Sequence, residues 1–327
     1  MKLRGEWFNS TEMNKWLSEK GGESELEELT DFFSEVFGLF EKDADGRILS
    51  DVLKSDWNLF TDIADVDAIL TEAAGLCGLD IGAQTKVRYQ PIVMDLVENW
   101  KLIKAELKDN RRFLMDQFIK DKDQSWNWCF TGNNVINKGS VLFRGRTNVE
   151  EDKPYETEED LSAPPKDKAT SGRVNPFGIS HLYLTDSPET VLYELRAVSG
   201  DQISIGEFEV QDNLNVVDFT VQEDLYDIYS ADYDSLLAGV QKQFLFNEIS
   251  EDMSHPIRRY DNPNLDYLPT QLVCEYIRIH QKEDGVIFQS SRKGKGFNNI
   301  VVFNKANAHL VKHYQKTVGL VDMKFLD

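Results

Sequence analysis

The stretch GRVNPFGISHLYLTDSPETVLYELRA, Gly172 to Ala197, constrains this chain more than any other, because it prescribes a turn, a strand and a helix in immediate succession. Gly172, Asn175, Pro176 and Gly178 tolerate left-handed or fixed backbone angles and mark a turn that carries Arg173. Ile179 to Leu184 alternates in apolar character and reads as a short strand carrying Tyr183. Ser187 followed by Pro188 is a hydroxyl cap with proline at the first helical position. In the helix so started, at about 100° per residue, Val191, Leu195 and Val198 share one face, Glu194 lies on its border and Glu189 points away. Glu194 is therefore the carboxylate expected to face an interior.

Two domains are expected from 327 residues, and the composition changes partway along. All six tryptophans lie between Trp7 and Trp128, whereas only Pro91 of nine prolines precedes Pro154. Helical periodicity marks Glu25 to Phe40 through Leu26, Leu29, Phe33, Val36, Phe37 and Phe40, and again about Ile92 to Phe118 through Val97, Trp100, Ile103, Leu107, Leu114 and Phe118. DVLKSDWNLF and VDAILTEAAGL read as shorter helices between them. The expected organisation is a helical domain over 1–130 and a mixed domain over 131–327. In the second domain, QISIGEFEV and NLNVVDF are strand candidates with Asn213 at the turn between them, and a helix follows over about Ser235 to Ile249. Another helix opens at Pro269 and Thr270, and strands at Gly285 to Gln289 and Ile300 to Phe303 close the pattern. That order predicts an α+β fold, a mostly antiparallel sheet with helices packed against it.

The charge excludes some functions. With 57 acidic and 36 basic residues the net charge is −21, so broad nucleic-acid binding is not expected. No apolar run reaches the roughly 18 residues of a membrane span, and Met1 to Asn9 lacks the apolar core of a signal peptide, so a soluble cytoplasmic protein without membrane attachment is expected, and the sequon at Asn9 has no role there. Cys77, Cys129 and Cys274 form no CxxC pair and are expected as free thiols. The charged run Glu150 to Lys168 reads as a solvated loop, with a cover over a site as the alternative. GKGFNN at Gly294 reads as a hairpin turn. His309 and His313 stand four apart in HLVKH, a spacing that on a helix would share a metal, but Leu310 stands where the metalloprotease motif has glutamate and no third ligand is near, so no metal is expected.

The turn, strand and helix from Gly172 to Ala197 resemble the core of the RES domain, a family named for its arginine, glutamate and serine. VLFRGR at Val141 to Arg146 is similar to the opening strand, SAPP at Ser162 to Pro165 to the loop before the glycine-arginine turn, LPTQLVCEYIR at Leu268 to Arg278 to the helix before the last motif, and DGVIFQSSRKGKGFNNIVVF at Asp284 to Phe303 to the closing strand pair. RES proteins resemble ADP-ribosyltransferase toxins in fold, and members consume NAD by phosphorolysis or hydrolysis. The helices before residue 130 resemble HEPN domains more weakly. They lack the arginine-histidine pair of HEPN nucleases, since the first histidine is His181, so a non-catalytic role is expected for them.

The resemblance implies Arg144, Arg173, Tyr183, Glu194 and Ser290 as the functional set. Breaking the nicotinamide-ribose bond builds an oxocarbenium-like centre that needs a carboxylate, for which Glu194 is the candidate. A pyrophosphate calls for planar cationic forks, which Arg144 and Arg173 supply, with Arg146 and Arg292 behind them. Tyr183 offers a stacking ring with a hydroxyl. Ser290 or the adjacent Ser291 offers a hydroxyl at a strand end, and the two point to opposite faces. Where many relatives carry tyrosine after the first arginine, this chain has Gly145. NAD is then a substrate rather than a cofactor, with phosphate or water as acceptor. An ADP-ribosyltransferase acting on a macromolecule and a non-enzymatic NAD-responsive module are the alternatives. An antitoxin of the Xre type is the partner the resemblance implies, and a homodimer is the expected assembly.

Overall fold

The computed structural model describes residues 15, 18, 30–61, 63, 65–112, 126, 129–149, 153–221, 233–256, 262–291 and 296–319. The start of the chain with its sequon, the expected helical positions Leu26, Leu29, Leu114 and Phe118, and the basic residues Arg292, Lys293 and Lys295 lie outside the described residues. Two units divide the chain, Met1–Trp100 with Gln222–Leu245 and Lys101–Val221 with Phe246–Asp327, so the division falls elsewhere than at residue 130.

In the first unit α1 (Thr30–Phe37), α2 (Leu49–Ser55), α3 (Val66–Leu76) and the start of α4 (Pro91–Asp109) follow the expected periodicity. Their apolar stripes meet around Phe33, Val36, Leu53, Trp57, Phe60 and Leu70, all at most 1% exposed, with the Phe33 and Phe60 rings stacked at 6.5 Å. The unit also contains an antiparallel pair, β1 (Phe40–Ile48) with β2 (Lys86–Tyr89), that a purely helical first domain does not include. The run EKDADGRI hides this strand, because a bulge between Lys42 and Arg47 interrupts its alternation. Gly46 sits at that bulge, where a Cβ would collide with the Val87 carbonyl.

The second unit is built on an eight-stranded sheet. Its strands are β3 (Asn134–Ile136), β4 (Val141–Thr147), β5 (Leu182–Thr185), β6 (Gln202–Val210), β7 (Leu214–Asp218), β8 (Gly285–Gln289), β9 (Asn298–Val302) and β10 (Ala308–Thr317), in the spatial order β10-β6-β4-β5-β9-β8-β7-β3. Every neighbouring pair is antiparallel except β7 and β8, which makes the fold α+β with a mostly antiparallel sheet. The expected β8-β9 pair is present. By contrast β6 and β7 form no hairpin, since β6 pairs with β4 and β10 while β7 pairs with β3 and β8. The turn at Asn213 therefore carries the chain between distant parts of the sheet. HLVKH lies in β10 rather than on a helix, and His309 meets Glu158 at 2.9 Å.

One sheet face buries Leu142, Leu182, Leu184, Phe208, Ile300 and Val302 against Leu161 and Ala163. The run expected to be a solvated loop thus feeds the core. Thr157 and Asp160 form a reciprocal capping box that starts the short helix α5 (Glu158–Leu161), and Leu161 at its end is fully buried. On the other face, α6 (Pro188–Glu194) crosses β4, with Ser187 as its N-cap and Pro188 in its first turn as expected. It ends sooner than its apolar pattern suggests, because Arg196 adopts φ +53°, and Val198 stands 59% exposed instead of packing.

Gly145 on β4 is where α6 comes closest. A Cβ there would collide with Val191 and lie 3.2 Å from Leu195 and 3.3 Å from Ile203. That approach is the physical reason for glycine at this position, since no larger side chain fits beneath α6. Gly145→Ala is expected to lower unfolding stability by about 1–3 kcal/mol through overpacking, read as a shifted denaturant midpoint with unchanged slope.

Candidate active site

Between β4 and β5 the sheet comes apart. The two strands share a single register pair, Phe143 with Thr185. Beyond it β4 stays paired with β6 as far as Thr147, and β5 stays paired with β9 back to Leu182. A cleft of about 300 Å³ opens at the split, lined among others by Arg144, Arg173, Tyr183, Glu194, Tyr267 and Asn299. Four of the residues singled out in the sequence are brought together there.

Glu194 arrives on the last turn of α6 and is held by the sheet. The Ser290 hydroxyl donates to its Oε1 at 2.7 Å and the Asn299 amide Nδ2 donates to the same oxygen at 3.0 Å. Both donors are buried, Ser290 at 1% exposure. Of the two adjacent serines, Ser290 is the one that reaches the carboxylate, and Ser291 lies in the turn after β8, half-buried. Ionised carboxylate oxygens take such donors more strongly than neutral acceptors do.

Arg144 comes from the parted segment of β4. Its Nη1 is buried and finds no hydrogen-bond partner among the described residues, although part of the side chain is exposed to the cleft. Burial, reinforced by the nearby Arg146 charge, lowers its pKa from 12.5 to about 10, so the group stays cationic at neutral pH. A shielded donor at a cleft wall is suited to an anionic ligand. Arg146, two residues on, stacks over the Tyr155 ring at 5.4 Å instead of lining the cleft.

Arg173 is fixed by the turn that carries it. Gly172 N–H donates to the Asn175 carbonyl at 2.9 Å, and Asn175 Nδ2 donates to the Thr170 and Ile179 carbonyls at 2.9 and 2.7 Å. The start of α8 (Leu268–Tyr276) clamps the same turn. Thr270 Oγ1 donates to the Arg173 carbonyl at 2.7 Å and Gln271 Nε2 to the Gly172 carbonyl at 2.7 Å. The guanidinium lies over Tyr267 at 5.3 Å and donates to the carbonyls of Asp252, at 3.2 Å, and His255. These carbonyls belong to the C-terminal end of α7 (Tyr233–Ser254) and the residue following it, where backbone acceptors are unmatched and favour a cation.

Tyr183 contributes its ring to the cleft, but its hydroxyl is taken up by the turn. It donates to Asn175 Oδ1 at 2.6 Å and accepts from Val174 N–H at 3.2 Å, and burial pushes its pKa well up. A Cβ on Gly172 would lie 2.6 Å from this hydroxyl, so the glycine is what lets the ring in. Tyr183→Phe is expected to cost about 1–3 kcal/mol of stability, because Asn175 Oδ1 loses its hydroxyl donor and the Val174 N–H loses its acceptor, and thermal unfolding at matched pH checks it.

Asn299, Thr270, Gln271 and Tyr267 were not singled out by sequence reasoning. Thr270 and Gln271 follow Pro269 at a helix start, which is the one local signal that marks them. Asn299 is the second of two asparagines that open β9 ahead of Ile300, Val301 and Val302, and asparagine is depleted in strands. Among the described residues no group of three or more histidines, cysteines or acids could hold a metal ion, and no helix is long and apolar enough to cross a membrane.

Residues 147–321 match the family model of the RES domain, more than half of the chain, and the match begins just after Arg144 and Arg146. No curated protein matches the chain. Among solved structures the chain is similar to one in the crystal structure of the M. tuberculosis MbcT-MbcA toxin-antitoxin complex, with 13% sequence identity, a TM-score of 0.37, and 60% of this chain and 93% of that chain covered.

Proposed function

Since this chain belongs to the RES domain family, we propose that it is an enzyme that cleaves NAD at the nicotinamide-ribose bond and passes the ADP-ribosyl group to phosphate or water. The observation that carries this reading is the pairing, in one cleft, of the anchored Glu194 carboxylate with the shielded Arg144 cation. As the ribose C1–N bond breaks, its electron pair returns to the pyridinium ring and nicotinamide leaves neutral. Positive charge then builds on the ribose carbon and its ring oxygen, where a fixed carboxylate stabilises it. Phosphate or water supplies the new C1–O bond, and water gives up one proton in doing so. Arg144 and Arg173 hold the pyrophosphate through charge-assisted hydrogen bonds, Arg173 exchanging carbonyl partners for phosphate oxygens.

The test is incubation of purified protein with NAD, with and without phosphate. Free nicotinamide is expected, with a phosphorylated ADP-ribose if phosphate is the acceptor and ADP-ribose if water is. Full retention of NAD in both mixtures overturns the proposal, and radiolabel fixed on protein or nucleic acid redirects it to a transferase. Growth arrest on expression, relieved by an antitoxin that covers the cleft, belongs to the same reading and rests on family membership alone.

A further inference from the structure

Asn299 lies within the stretch that resembles the closing strand pair but has no role assigned to it there, yet it touches the acid on which the proposed chemistry turns. It sits on β9, paired with Thr185 of β5 and Phe288 of β8, and is 9% exposed. Strands on both sides hold its backbone. Its Nδ2 reaches Glu194 Oε1 at 3.0 Å, the oxygen that also takes the Ser290 hydroxyl at 2.7 Å. Ser290 is fixed in turn, its N–H donating to the Phe297 carbonyl at 2.7 Å.

We propose that Asn299 is a positioning residue which, together with Ser290, sets the direction of the Glu194 carboxylate. The need for it follows from where Glu194 stands. It is the final residue of a seven-residue helix, two positions before the backbone turns left-handed at Arg196. A long side chain at a helix end has its rotamers weakly determined by its own element. Donors borne on central strands supply the constraint that the helix end lacks. The second donor must be neutral and polar. An aspartate in its place sets a like charge against Glu194, and an alanine removes the amide donor that Oε1 shares with the serine.

The consequence for turnover rests on the NAD-cleaving reading, whereas the consequence for structure does not. Asn299→Asp keeps the shape of the residue and is the decisive variant, with Asn299→Ala beside it. Steady-state kinetics with NAD and a crystal structure of each variant are the two readouts. Asn299→Asp and Asn299→Ala are expected to lower kcat about 10- to 100-fold with KM for NAD nearly unchanged. In the crystals the Glu194 carboxylate leaves its wild-type place in both Asn299 variants. A carboxylate that stays in place in either overturns the inference, whatever the turnover, and so does a loss confined to KM. A wild-type protein that leaves NAD intact, with Glu194 displaced in the variants, removes the proposed reaction and upholds the positioning role. Should the alanine variant not fold, the isosteric aspartate carries both readouts.

Discussion

Glu194→Gln is expected to reduce NAD cleavage by about two to three orders of magnitude while leaving the protein folded. The substitution preserves length and planarity. The glutamine carbonyl oxygen can occupy the place of Oε1 and accept from Ser290 and Asn299 at the observed 2.7 and 3.0 Å. What disappears is the negative charge that faces the developing cation at the ribose carbon. The loss therefore falls on kcat, and NAD affinity measured by calorimetry stays within a few-fold of wild type. Equal loss of binding and turnover would assign Glu194 to substrate recognition. Unchanged turnover would remove it from the chemistry.

Arg144→Met carries effects of opposite sign on stability and on binding. The arginine Nη1 is buried without a partner among the described residues, and burial has drawn its pKa from 12.5 to about 10. The sign follows from proton linkage. A cation whose folded pKa is depressed destabilises the fold at every pH below that value, and the cost fades only as pH rises through about 10. Methionine fills similar volume without charge, so unfolding stability near neutral pH is expected to stay level or rise by about 1–3 kcal/mol. NAD affinity is expected to fall at least about 30-fold, because the pyrophosphate loses a desolvated cationic donor. Calorimetric binding and a denaturant titration on the same preparation read both. A variant that loses stability and keeps its affinity would make Arg144 a structural residue.

Much of the site follows from short-range rules. Ser187 and Pro188 announce α6, Gly172 and Gly178 announce the turn of Arg173, and period-two alternation gives β5, while the β8-β9 pair follows from the resemblance. The resemblance to the RES domain then nominates Arg144, Arg173, Glu194 and Ser290, of which the first three line one cleft and Ser290 donates to Glu194. The remainder depends on contacts distant in sequence. Asn299 matters because β9 lies beside β5, and nothing within several residues of it encodes that neighbour. The Tyr183 hydroxyl is engaged by Asn175 and Val174 through the fold of a turn, which ring chemistry alone does not reveal. The β1-β2 pair was hidden by its bulge, and α5 by a run of charge around a single buried leucine. Which segments pack together is equally nonlocal, as Leu236, Leu237 and Val240 join the core of Phe33 and Trp57 from about two hundred positions away.

The path of the polypeptide has a last implication. It leaves the first unit after Trp100, re-enters at Gln222 and leaves again after Leu245. No single cleavage can sever one unit from the other, and no single gene breakpoint can hand either of them intact to another protein. Whatever the leading hundred residues do, they are inherited together with the cleft.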